Sequence, residues 1–272
     1  MLRAVLAQSE VQGFDRHIWQ LVWTGFDLID RFYTWRDWMW ALTGAQQAAA
    51  RLGEHLYVAR LMYLEAVAIA RLGHYEDARQ RFTASEDAYA QIGDVPGQVR
   101  SQTGQAWTLI LLDRPHESLE VAQAALDLQR RDASATARLV GMAMHQVAEG
   151  LGAAGEYQKA LECCAELKAV RRGIENPYDS GNGALTEGAI LVGLGESGPA
   201  IEVLASAIGW FNQVGSWSDI ANAQRWLGEA YEQAGDLTAA RLTWIESLAT
   251  YEHHQHPYAE KVRAKLAALP EN

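Results

Sequence analysis

The chain has 272 residues, 49% hydrophobic and 21% charged, a globular composition long enough for one large domain or an array of small units, and too apolar for a disordered segment. Its formal net charge is −11, and so acidic a surface repels phosphates instead of displacing their counterions, which argues against nucleic acid as a direct partner. Its two cysteines, Cys163 and Cys164, are adjacent and would point about 100° apart on a helix, which suits neither a disulfide framework nor a metal cage; no apolar run is long enough for a signal peptide or a membrane span, so a cytoplasmic protein away from membranes is expected.

Residues 1–13 predict a partial leading helix. The next stretch, FDRHIWQLVWTGFDLIDRFYTWRDW from Phe14 to Trp38, holds Trp19, Trp23, Trp35 and Trp38, and with Trp40 these are half of the ten tryptophans. Aromatic bulk at helical spacing predicts core filling or a docking face, and any exposed remainder would offer a homodimer surface.

Along the rest of the chain one short pattern returns. YTWRDW, GHYEDA, DRPHES, GEYQKA, GESGPA and GDLTAA close on Trp38, Ala78, Ser118, Ala160, Ala200 and Ala240, spaced 40, 40, 42, 40 and 40. Such a period is the mark of a repeat array. Each unit predicts two helices: Met62, Ile69 and Leu72, or Met144, Leu151 and Ala154, recur at helical spacing before the turn. Leu42, Phe82, Ala122, Cys164, Leu204 and Trp244 form a packing column four residues after each anchor. The links RLGEH, QIGDVPG and QVGSWSD each place a glycine at a helix end before polar cap candidates.

Two stretches, GLGAAG from Gly150 and GLGESG from Gly193, have the glycine spacing of a dinucleotide-binding loop. In the repeat register, however, Gly155 aligns with Gly195, so the third glycine of one falls on the second of the other. No strand precedes either, and the fingerprint needs one. Gly73, Gly155, Gly195 and Gly235, all five residues before an anchor, are therefore predicted to be left-handed turn residues.

Small residues in the first helix followed by G-[DEH]-Y-x-x-A at the turn resemble the tetratricopeptide repeat, most closely in AQRWLGEAYEQAGDLTAARLTWIESLATYE, Ala223 to Glu252. The Phe14–Trp38 stretch together with HPYAEKVRAKLAAL, His256 to Leu269, resembles the C-terminal repeat module of actinobacterial SARP/AfsR-like and STAND NTPase regulators. In those proteins a nucleotide-binding region precedes the repeats; here no G-x-x-x-x-G-K-[ST] loop occurs. The expected fold is an all-α, right-handed α-solenoid of about six such helix pairs with a period near 40, residues 14–256, closed by a capping helix within 257–272.

By this resemblance, a groove is lined by first-helix positions 18, 15 and 11 residues before each anchor, which share one helical face. Its candidate binding residues are Gln20, Trp23, Asp27, Arg60, Tyr63, Arg100, Trp107, His145, Glu149, Arg225 and Glu229. Cationic forks beside aromatic platforms suit an acidic and apolar peptide or protein segment; equally, some arginines would only pair with Asp27 or Glu65 while the aromatics pack between units. HHQH, His253 to His256, lacks an acidic or cysteine partner nearby to complete a metal site and suits a helix C-terminus. No nucleophile elbow or H-E-x-x-H is present, so neither catalysis nor a cofactor is expected. The expected role is a binding scaffold, the sensor or partner-binding arm of a transcriptional or signalling regulator; the alternatives are a small-molecule or signalling-peptide sensor and a self-association module.

Overall fold

The computed structural model describes residues 2–25 and 35–270, which form fourteen helices and no strand. The fold is all-α and tetratricopeptide-like, and it divides into two compact units, Met1–Leu139 and Val140–Asn272. The first contains α1 (Leu2–Val11), α2 (Asp15–Thr24), α3 (Trp35–Arg51), α4 (His55–Arg71), α5 (Tyr75–Gln91), α6 (Val95–Leu111) and α7 (Pro115–Arg131). The second contains most of α8 (Ala137–Ala153), then α9 (Tyr157–Val170), α10 (Pro177–Leu194), α11 (Ser197–Val214), α12 (Trp217–Gln233), α13 (Leu237–His253) and α14 (Tyr258–Ala268). No helix among the described residues is long and apolar enough to cross a membrane.

Within each unit, successive helices pack against one another, and alternate helices also touch, α4 with α6 and α10 with α12. The residues at the repeat positions explain this. Ala78, Ser118, Ala160, Ala200 and Ala240 are fully buried, and so small a side chain lets two helices approach closely. Four residues on, Phe82, Leu204 and Trp244 are also fully buried, each worth about 1.5–3 kcal/mol over leaving it in water. Each large ring meets a glycine on the facing first helix: a Cβ on Gly104 would fall 2.5 Å from the Phe82 ring, and one on Gly228 2.3 Å from Trp244 Nε1. Seven residues past the anchor a serine ties second helix to first. Ser85 Oγ donates to the Ala59 carbonyl at 3.0 Å, and Ser247 Oγ to the Ala221 carbonyl at 2.8 Å.

The turns settle the two glycine-rich stretches. Gly155 and Gly195 take φ of 78° and 79°, and Asp113 occupies the equivalent turn at φ 59°, a region that costs an L residue roughly 1–2 kcal/mol. Gly150 and Gly193 lie inside α8 and α10, where a Cβ on Gly193 would strike the Tyr157 ring at 2.3 Å. These glycines serve turns and close packing, and no strand–turn–helix frame exists for a pyrophosphate among the described residues. Asp94, in the link QIGDVPG, caps its helix as expected, accepting from Gly97 N at 3.0 Å, and Asn176 and Asp236 cap theirs by accepting from Asp179 N and Ala239 N at 3.0 and 2.9 Å; Glu54 and Ser216, in the other two links, make no side-chain cap bond. The C-terminal α14 packs on α13 through Val262, which is fully buried.

Candidate functional site

In the first unit, the contact of α4 with α6 brings Arg60 and Arg100, forty positions apart in sequence, onto neighbouring first helices. Each guanidinium stacks on aromatic rings. Arg60 Cζ lies 5.2 Å from the Trp23 ring centre and 5.3 Å from that of Tyr57, and Arg100 Cζ lies 5.9 Å from that of Tyr63. A third pair, Arg71 over Trp107 at 5.8 Å, continues the series. Contacts of this kind contribute about 0.5–2 kcal/mol each, more as they lose water. The rings are fixed from behind: Tyr57 stands 3.9 Å from Trp19 between ring centres, and Tyr63 5.4 Å from Phe82. Trp19 and Phe82 are buried core residues.

The carboxylates on the same elements are engaged elsewhere. Glu65 pairs with Arg81 and accepts from Gln46 Nε2 at 2.8 Å. Glu86 accepts from Gln102 Nε2 at 2.7 Å and Gln105 Nε2 at 2.6 Å, and Asp15 pairs with Arg51 at 2.6 Å. Glu65 is thus not the partner of Arg60 or Arg100, and among the described residues neither arginine makes an ion pair. Asp27 lies outside the described residues. Gln20 is exposed on α2.

Tyrosine hydroxyls report the same field. Burial pushes Tyr89 up to about 12, opposed by the positive charges of Arg100 and then Arg60. Burial likewise raises Tyr63, against Arg100 and Arg71. Both phenols are therefore neutral donors near neutral pH.

In the second unit the candidate residues form a different environment. His145 Nε2 lies 3.7 Å from Glu149 Oε1, one turn along α8, with side chains 16% and 28% exposed. Burial first, and then the Arg171 charge, pushes His145 down to about 4, with Asp179 opposing. Burial raises Glu149 to about 7, assisted by Asp219 and opposed by hydrogen bonds from Gln146 and Thr186. Between these values both groups are neutral, so the contact is not an ion pair there. Arg171 bridges α8 and α10 by donating to the Gly141 carbonyl at 3.2 Å and the Asp179 carbonyl at 2.9 Å.

Arg225 and Glu229 are neutralised locally. Arg225 donates to Glu229 at 3.1 Å and to Asn222 Oδ1 at 2.9 Å, and stacks on Trp226 and on Tyr258 of α14. Lys265, also of α14, stands 3.8 Å from Glu229. The closing helix thus takes up two side chains that the repeat register places in the groove.

The remaining sequence features are accounted for by packing. Trp19 and Trp38 are buried in the core of the first unit, Trp23 is half-buried, and Trp40 is 43% exposed. Cys164 is buried and its thiol pushed up to about 12. His254 stacks on Trp217 at 3.6 Å, and His256 Nδ1 accepts from Tyr258 N at 3.2 Å. Among the described residues no group of three His, Cys, Asp or Glu is disposed to hold a metal. The register rows did not include Tyr57, Arg71 or Tyr89. Tyr57 sits one turn before Arg60 on the same helix, a spacing that would have exposed it, whereas Tyr89 arrives from the second helix α5.

No family model matches the chain, and no curated protein matches it. Solved structures do match. The apo form of RapI superposes with a TM-score of 0.71 at 11% identity, over 93% of this chain and 90% of that one. PlcR of Bacillus thuringiensis, solved in complex with the peptide PapR7 and DNA, superposes at 0.62 and 10% identity, over 83% and 84%. A STAND protein with a tetratricopeptide-repeat sensor from Pyrococcus horikoshii superposes at 0.52 and 14% identity; the match covers 98% of this chain and 47% of that one. At such identities the likeness is one of fold. The chain is a tetratricopeptide-like repeat protein, similar in fold to the repeat sensor of a STAND ATPase.

Proposed function

We propose that the chain is a non-catalytic regulatory scaffold whose first unit captures a peptide or protein segment on the face of α2, α4 and α6. The observation that carries this reading is the row of arginines stacked on Trp23, Tyr57 and Tyr63, with Arg60 and Arg100 lacking an ion pair among the described residues. Arginine and large aromatics are the residue types that dominate binding energy at protein interfaces. Fold neighbours support it: PlcR was solved holding a peptide, and the Pyrococcus horikoshii protein carries its repeats as a sensor. In this reading six two-helix repeats span residues 14–256, after a partial helix in 1–13 and before a cap in 257–272. Trp23, Arg60, Tyr63, Arg100 and Trp107 contact the ligand, with Gln20 at the rim.

A random linear-peptide library panned against the chain, with affinities of the selected peptides measured by calorimetry, tests it. The triple variant Arg60→Ala, Arg100→Ala, Trp107→Ala is expected to lose capture while its far-ultraviolet circular dichroism remains helical. Unchanged affinity in a folded triple variant would remove this face from the account.

A further inference from the structure

We propose that the outward face of α13 is a docking surface for a basic amphipathic helix of another protein. It lies in the second unit, on a second helix, and shares no residue with the peptide-binding face on α2, α4 and α6.

Two seams run along α13. Ala240, Trp244, Ser247 and Tyr251, spaced four, three and four, are at most 1% exposed and pack the helix into the unit. Thr238, Leu242, Ile245 and Ala249 repeat the spacing two residues out of step, about 160° around the helix. All four are exposed, Leu242 at 60% and Ile245 at 49%. A helix that is apolar on two opposite sides is built to meet a neighbour on each. The repeat itself does not require this second seam: the position of Leu242 is held by exposed Gln80, Glu120, Glu162 and Glu202 in α5, α7, α9 and α11. In α3 it is held by Trp40, but Thr43 and Gln47 follow there, so the seam stops.

Charge selects the occupant. Residues 140–272 hold 17 acidic and 9 basic side chains. The cations of α13 and α14 are already engaged: Arg241 donates to the Pro270 carbonyl at 2.7 Å, Arg263 pairs with Glu252 at 2.6 Å, and Lys265 stands 3.8 Å from Glu229. Glu246, next to Ile245, is exposed and accepts from the neutral Gln224 amide at 2.8 Å, which leaves its charge uncompensated. A second copy of the chain would set this acidic unit against itself. A helix with Lys or Arg beside its apolar stripe gains from the same field. The alternation of four and three is the spacing that meshes with another helix, whose side chains enter the gaps between Leu242, Ile245 and their neighbours. Thr238 and Ala249, small at either end of the seam, let the incoming backbone lie close.

The test titrates the intact chain into a fluorescein-labelled synthetic peptide of three heptads, with Leu at positions a and d and Lys at e and g, and reads anisotropy. Saturable binding is expected. Two control peptides, one with Glu in place of every Lys and one with Ser in place of every Leu, are each expected to bind at least about tenfold more weakly. The double variant Leu242→Ser, Ile245→Ser is expected to weaken binding of the Lys peptide by about tenfold, with circular dichroism and melting temperature unchanged because both side chains are exposed. Should it not fold, Ile245→Gln alone, with an expected loss of about threefold, takes its place. The variant Arg60→Ala, Arg100→Ala, Trp107→Ala is expected to bind the Lys peptide as tightly as the native chain, which separates this surface from the peptide-binding face. Equal affinity of the native chain and the serine variant, or equal binding of the Lys and Glu peptides, would overturn the proposal. Light scattering across a concentration series is expected to show no association through α13; a dimer abolished by the serine variant would overturn the proposal by giving the seam to a second copy.

Discussion

His145 and Glu149 make stability depend on pH in two opposing ways, and removing either should expose the other. Glu149 titrates at about 7 in the folded chain against an ordinary 4.5. Its folded value is raised, so its contribution is fully present below pH 4.5 and is lost as pH rises through 7. His145 titrates at about 4 against 6.5. Its folded value is depressed, so its contribution is present above pH 6.5 and is lost as pH falls through 4. Between pH 5 and 8, linkage puts the Glu149 loss at about 2.5 kcal/mol and the His145 gain at about 2 kcal/mol. The two nearly cancel in the native chain. Relative to it, Glu149→Gln should gain about 2.5 kcal/mol of stability between pH 5 and 8, and His145→Gln should fall behind by about 2 kcal/mol over the same range. Urea unfolding followed by circular dichroism at half-unit steps of pH measures both. Arg171, Asp179 and Asp219 face the pair and are common to all three proteins, so their titration drops out of the differences. Parallel curves for the two variants and the native chain would refute the burial argument.

Gly228→Ala forces a methyl group into the fully buried Trp244, whose Nε1 donates to the Arg225 carbonyl at 3.0 Å; thermal melts should show a loss of about 1–3 kcal/mol. Asp113→Gly relieves a residue held at φ 59°, and urea midpoints should show a gain of about 0.5–1 kcal/mol after the added freedom of the unfolded chain is counted. In a Cys163→Ser background, iodoacetamide at pH 8 should leave Cys164 unmodified until urea unfolds the chain, because burial holds its thiol at about 12; mass spectrometry of the labelled peptide reads this directly.

Much of the fold was legible because its determinants are local or periodic. A small residue every forty or so positions, a left-handed turn five residues earlier and a bulky residue four later are each dictated by how two helices close on one another. Asp113 and Ser118 could be placed by register alone, although neither is the residue type used at most of the other turns. The register also put Arg60, Arg100, Trp23 and Tyr63 on one helical face. What it could not supply came from elements outside its rows. Tyr258 and Lys265 reach Arg225 and Glu229 from the closing helix, and Arg81 claims Glu65 across the α4–α5 contact. Spacing showed that His145 and Glu149 share a face; that both are neutral over much of the acid range follows from burial, which spacing does not report.

A crystal structure of the chain with a library-selected peptide would locate the ligand. The peptide is expected along α2, α4 and α6 of the first unit, with an acidic group within hydrogen-bond distance of Arg60 and Arg100 and apolar side chains against Trp23 and Tyr63. A peptide bound on any other face, with those two guanidiniums making no contact to it, would show that this face is not the binding surface.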